Sequence, residues 1–171
     1  METFQDLFEE ALRDIYYAEK AVLKVLPKMA KKASSEELAA AFTSHHEQTE
    51  QQVVRLERIF ERLGKTARGK KCPAIDGILE EGQELMEKAK DDTVRDAGML
   101  AAAQAVEHYE IARYGALKAW AEKLEMPDAV ELLEKTLQEE KASDEKLTSL
   151  AETEINLVAR KEETSQNTRK P

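Results

Sequence analysis

The sequence predicts an all-α protein: a four-helix bundle with one long crossover that contains a short fifth helix. Three observations carry this. Gly (6) and Pro (4) are scarce among 171 residues and aromatics make up only 5%, while the strong helix formers Ala, Leu, Glu and Lys dominate. Four long stretches place apolar residues at spacings of three and four, the period of a helix with one buried face. A Gly- and Pro-bearing segment, residues 64–77, separates the second stretch from the third, so the order is helix pair, long connection, helix pair.

The first helix is expected from Thr3 or Phe4 to about Lys32, with Thr3 as its cap. Its stripe is Phe4, Phe8, Ala11, Ile15, Glu19, Val22, Leu26 and Met29. Pro27 is its weak point, because a mid-helix proline forfeits a hydrogen bond. Ser34 or Ser35, followed by Glu36 and Glu37, opens a second helix that runs to about Leu63,. Its inner face reads Leu38, Phe42, His45, Thr49, Val53, Leu56 and Phe60, and Gly64 supplies the stop,.

The crossover carries Lys65, Arg68, Lys70 and Lys71, then a short acidic helix from Ile75 to about Ala89 that lies across the bundle. Asp91 and Asp92 suit the cap of the third long helix. There positions 100, 103, 107, 110, 114, 117 and 121 share one face, so Leu100, Ala103, Tyr114, Leu117 and Ala121 stand in line with Glu107 and Glu110,. Met126-Pro127-Asp128 forms the joint to the fourth helix, 128 to about 160. Its inner positions are Ala129, Leu133, Thr136 or Leu137, Glu140, Asp144, Leu147, Leu150, and Ile155 or Val158. One domain is expected over residues 1–160, and the polar stretch 161–171 is expected to be a disordered tail.

Composition removes several function classes. A net charge of −9 from 26 basic and 35 acidic side chains argues against a protein built to neutralise nucleic-acid phosphates, the basic crossover being the one weak exception. The single cysteine excludes a disulfide framework and a thiolate cluster,. No stretch approaches 18 consecutive apolar residues and the start is acidic and amphipathic, so a cytoplasmic, non-membrane protein is expected. Neither a nucleophile motif nor a phosphate-binding glycine loop is present.

What stands out is charge where hydrophobes belong. Glu19, Glu107, Glu110, Glu140 and Asp144 interrupt three of the four inward stripes, and His45 lies in the other. Buried carboxylates close together call for a cation or a shared proton. The spacings from Glu19 to Thr49 and from Glu110 to Glu140 are both 30 residues, which puts these positions near one level of the bundle. Carboxylates with one imidazole suit two divalent cations, iron or manganese above all. Tyr16, Tyr109, Tyr114 and His108 are candidates for supporting hydrogen bonds. Each residue also has a plainer reading: Glu19 as a salt-bridged carboxylate, His45 as a satisfied core histidine, Asp144 as a partner of Lys141 or Lys146.

The segments DIYYAEKAVLKVLPKMA, AFTSHHEQTE, KCPAIDGILEEG, RDAGMLAAAQAVEHYEIARYGAL and LLEKTLQEEKASDEKL together resemble the bacterial YciE/YciF family of stress-response proteins. That family is a ferritin-like group similar to rubrerythrin-type di-iron proteins. The resemblance covers residues 3 to about 155. It implies a ferritin-like bundle, commonly a homodimer, induced under osmotic or oxidative stress, with oxygen or peroxide as the natural oxidant. Mapped onto this chain, it implies Glu19, Glu107, Glu110, Glu140 and Asp144 as ligands. The second helix departs from the pattern: Glu47 and Glu50 take the usual Glu-x-x-His spacing, His45 precedes them, and Gln48 stands where relatives often carry glutamate. Two functions remain open, a stress protein with a di-metal core and a non-enzymatic scaffold with a degenerate site.

Overall fold

A computed structural model describes residues 1–167, and within them the chain is all helix and connection. The elements are α1 (Phe4–Lys32), α2 (Glu36–Arg62), α3 (Pro73–Lys88), α4 (Asp92–Lys123), α5 (Pro127–Leu150), a π-helical turn (Ala151–Ile155) and α6 (Asn156–Asn167). α1 pairs with α2 and α4 with α5 as antiparallel hairpins, and α3 in the crossover packs on α4 and α1. No helix among the described residues is long and apolar enough to cross a membrane.

Each start is fixed by local chemistry. Thr3 and Asp6 form a reciprocal capping box on α1, Ser35 accepts from Leu38 N–H on α2, and Asp91 accepts from Thr93 and Val94 N–H on α4,. Cys72 caps α3 through its sulfur, 3.5 Å from Ile75 N, and Pro73 takes the first turn, where a missing N–H costs nothing. α3 therefore begins two residues before the expected Ile75. α1 continues through Pro27 to Lys32. Gly64 ends the first hairpin with φ +66°, a backbone state that a side chain disfavours.

The core is one continuous apolar cluster from Phe8, Leu12 and Ile15 on α1 to Leu133, Leu137 and Leu147 on α5. All seven positions read as the α4 stripe are buried. α3 reaches the core through Ile75 and by close approach at Gly82, where an added Cβ would stand 2.9 Å from Ala102 Cβ. The crossover is tied to α1 by Lys70 N–H donating to Arg13 O at 3.0 Å, and its basic side chains Lys65, Lys70 and Lys71 pair with Glu9, Glu10 and Asp76.

The last long helix departs from the expected single span. Across Ala151–Ile155 the turn widens to the π form, after which the helix runs to Asn167. The wider turn holds Leu147, Ala151 and Ile155 on the buried side, whereas Val158, an alternative inward residue on an unbroken helix, is exposed,. The part of the expected tail up to Asn167 is helical; residues 168–171 lie outside the described residues.

The α1–α2 turn is locked from α4. Asp96, buried, accepts from Ser34 N–H at 3.0 Å, Ser34 Oγ–H at 2.6 Å and Ser35 N–H at 2.8 Å. Replacing it strands two backbone donors and a hydroxyl, so Asp96→Ala is expected to cost about 3 kcal/mol, a fall in Tm of roughly 6–12 °C. Urea unfolding of the variant checks this, and a loss below about 1 kcal/mol would show that water takes over these bonds.

Candidate metal centre

Four long helices deliver their polar interruptions to one layer. Glu19 from α1, Glu107 and Glu110 from α4 and Glu140 from α5 are essentially fully buried, and His45 from α2 is 6% exposed. One donor atom each from His45, Glu107, Glu110 and Glu140 lies within 4.8 Å of all the others. Glu107 and Glu110 occur together because a spacing of three places them on one face of α4, one above the other.

The layer is buried and short of partners. Six carboxylate oxygens find no hydrogen-bond donor: Glu19 Oε2, Glu107 Oε2, both oxygens of Glu110 and both of Glu140. His45 Nε2 also lacks a hydrogen bond, although it faces Glu107 Oε1 at 3.4 Å and Glu140 Oε2 at 3.8 Å. Burial pushes the Glu19 carboxyl up to about 8, with the nearby Glu107 charge adding to the rise and the Tyr114 hydroxyl and Arg55 opposing it. Burial also raises Glu110 and Glu140 well above the carboxylate range, reinforced for Glu110 by Glu19 and Glu107 and for Glu140 chiefly by Glu110. Tyr114 donates its hydroxyl to Glu19 Oε1, and its own proton is held well above the phenol range by burial and the Glu19 charge.

Hydrogen bonding fixes the histidine. Ser143 Oγ–H donates to Glu107 Oε1 at 2.8 Å and lies 3.4 Å from His45 Nδ1. With its proton committed to the carboxylate, the hydroxyl can only accept from the ring, so Nδ1 carries the hydrogen and Nε2, in the neutral ring, has its lone pair toward the carboxylates. A metal-binding imidazole takes this form, with its second nitrogen held by a fixed partner. The orphaned oxygens and Nε2 thus form a set of hard donors able to hold a metal ion,.

Beside the layer, Arg55 of α2 makes a two-pronged pair with Glu139 at 2.6 and 2.7 Å and donates to Thr136 Oγ1 at 3.0 Å. Gln52 Nε2 donates to the same Glu139 at 3.3 Å.

The remaining expected residues lie elsewhere. Glu47 and Glu50 are exposed on α2 and do not reach the layer; two and five residues on from His45, at about 100° per residue, they fall away from its face of the helix. Asp144 is half-buried but faces α4, accepting from Gln104 Nε2 at 3.1 Å and pairing with the exposed His108 at 3.3 Å. The ligand set is corrected accordingly. Tyr16 bonds Glu57 at 2.8 Å, and Tyr109 bonds Asp14 at 2.8 Å and contacts Cys72 Sγ at 3.0 Å; of the four supporting candidates, Tyr114 alone bonds a carboxylate of the site. Ser143, Arg55, Gln52 and Glu139 escaped the sequence reading. Ser143 and Asp144 straddle the stripe of Glu140, and carboxylate chemistry favoured the wrong one of the two.

Residues 3–160 match the family model described as "Domain of unknown function (DUF892)". Protein YciF of Escherichia coli (strain K12) is 44% identical over 160 residues, covering 93% of this chain and 96% of that protein. The crystal structure of the E. coli stress protein YciF superposes with a TM-score of 0.87, covering 91% of this chain and 99% of that one. YcfI of Rhodopseudomonas palustris is 50% identical with a TM-score of 0.84, covering 86% and 94%.

The raised carboxyls make the metal-free fold sensitive to pH in a defined direction. The folded state keeps protons that the unfolded chain releases above about 4.3, so stability falls as pH rises from there through the Glu19 value of about 8,. Urea unfolding of chelator-treated protein should show a loss of at least about 2 kcal/mol between pH 5.5 and 8.5, with Glu110→Gln flattening the slope. A slope unchanged by that replacement would place its origin outside the layer.

Proposed function

The chain belongs to the DUF892 family, the YciE/YciF group of ferritin-like bundles, and from that premise we propose that its core binds divalent transition ions, two of iron or manganese per bundle, in defence against oxidative stress. The observation that carries this reading is the set of six unpartnered carboxylate oxygens in one buried layer. Burying one unpaired charge is already costly. Four carboxylates, if ionised, are balanced by two divalent ions, which accounts for the count and for the lack of neutralising lysines.

Glu19, Glu107, Glu110, Glu140 and His45 would hold the ions. Ferritin-like di-metal bundles draw on all four helices, with Glu-x-x-His on two of them; here α4 substitutes Glu107-x-x-Glu110 and α2 contributes His45 alone. Iron held there supplies one-electron chemistry toward oxygen or peroxide. The chain's own part is to exclude water from the layer, to present Nε2 of His45 through Ser143, and to keep a proton on Tyr114 beside Glu19. That the E. coli relative is a stress protein supports the physiological half of the proposal.

That α2 brings no carboxylate to the buried layer favours a second reading, in which the bundle is a scaffold and the layer is vestigial. One set of measurements separates the two. Anaerobic titration of metal-free protein with Fe(II) or Mn(II) is expected to saturate at two ions per chain; fewer than one bound ion sinks the metal reading. Glu107→Leu with Glu110→Leu is expected to abolish bound metal, and on the scaffold reading simply raises Tm. Ser143→Ala, which frees the imidazole, is expected to weaken metal binding by about tenfold with the fold intact.

A further inference from the structure

Between α2 and α5 a pocket of ≈ 580 Å³, counted out to its open mouth, descends onto the metal layer. Its floor is His45, Glu107 and Ser143, and its rim is Ser44, Gln48 and Lys146. Both floor residues of the layer carry buried atoms without a partner, His45 Nε2 and Glu107 Oε2. The rim groups are uncommitted: among the described residues, the side chains of Ser44, Gln48 and Lys146 make no hydrogen bond or ion pair. We propose that this pocket binds a small monocarboxylate, whose carboxylate group completes the metal layer on the side where α2 offers only His45.

The reading rests on the metal proposal above and follows from the asymmetry of the layer. α1, α4 and α5 each bring carboxylate to it, whereas α2 brings one nitrogen and the adjoining space is left as a polar pocket. A lysine at the mouth opposes passage of cations and attracts anions. Ammonium, amide and hydroxyl together offer donors for two coplanar oxygens. The Ser143 hydroxyl contributes none of these donors, since its proton is spent on Glu107. Phe42 and Leu147 form part of the wall, so a short alkyl tail is accommodated and the acid need not be the smallest one. Without divalent ions the layer offers a carboxylate no cation to meet, which makes its binding metal-dependent.

The test uses full-length protein loaded with Mn(II), its metal content measured, and follows the line broadening that the paramagnetic ion imposes on ¹³C-labelled acetate and propionate. Saturable broadening is expected, with propionate binding about fourfold tighter than acetate for its extra methylene. Lys146→Ala should weaken both by about tenfold, the scale of one charge-assisted bond. Gln48→Glu, which places the chain's own carboxylate in the pocket, should abolish the broadening while Mn(II) is retained. No broadening with Mn(II) bound, indifference to both replacements, or equal competition by chloride would each overturn the carboxylate site. Protein that fails to retain Mn(II) at all would overturn the metal reading, and this inference with it, and the metal content tells the two failures apart.

Discussion

Everything in this structure turns on the desolvation of four carboxylates inside one helical layer. In water each would be solvated at no cost; between four packed helices the only remedies are protons, counter-ions or donors, and the chain provides few donors. Tyr114 serves Glu19 and Ser143 serves Glu107, while Glu110 and Glu140 are left bare. Such an arrangement is unfavourable for a bundle that only has to fold. The apolar cluster on either side must therefore carry the stability, and the polar layer is retained against it.

The architecture around the layer explains how that conflict is contained. Asp96 pins the first hairpin to α4, Gly82 lets α3 close against α4, and Arg55 locks α2 to α5 through Glu139 and Thr136. Each fixes a helix pair within a few turns of the carboxylates, so the layer cannot relieve itself by letting helices drift apart. Arg55 is the sole buried cation in the described core. It is consumed by Glu139 rather than by the four carboxylates, although its charge still eases Glu19. Two buried charge systems thus sit side by side, one neutral in itself and one of carboxylates that could hold a metal ion.

How much of this was legible in the sequence depended on the kind of signal. The all-α class, the helix order and the buried stripe of α4 follow from periodicity, which reports on a single helix and needs no knowledge of its neighbours. Glu19, Glu107, Glu110 and Glu140 were found because a carboxylate in an apolar stripe contradicts its local pattern. Ser143, Gln52 and Arg55 were not, because small or flanking polar residues contradict nothing until the facing helix is in place. Asp144 and Ser143 make the contrast concrete: they lie on opposite sides of the same stripe, and only the positions of α2 and α4 decide which one meets Glu107. Glu47 and Glu50 were misplaced for a different reason, since spacing along α2 was matched to a pattern without asking which way that face turned.

The π turn at Ala151–Ile155 separates two jobs of one continuous helix. On its N-terminal side the helix must keep Glu140 and Ser143 in phase with the carboxylate layer; within the turn Ile155 packs inward and Glu154 accepts from Ser35 Oγ at 3.1 Å. An unbroken helix would couple these registers rigidly, so that any insertion beyond residue 150 would be tolerated only in whole turns. The extra residue acts as a slip joint.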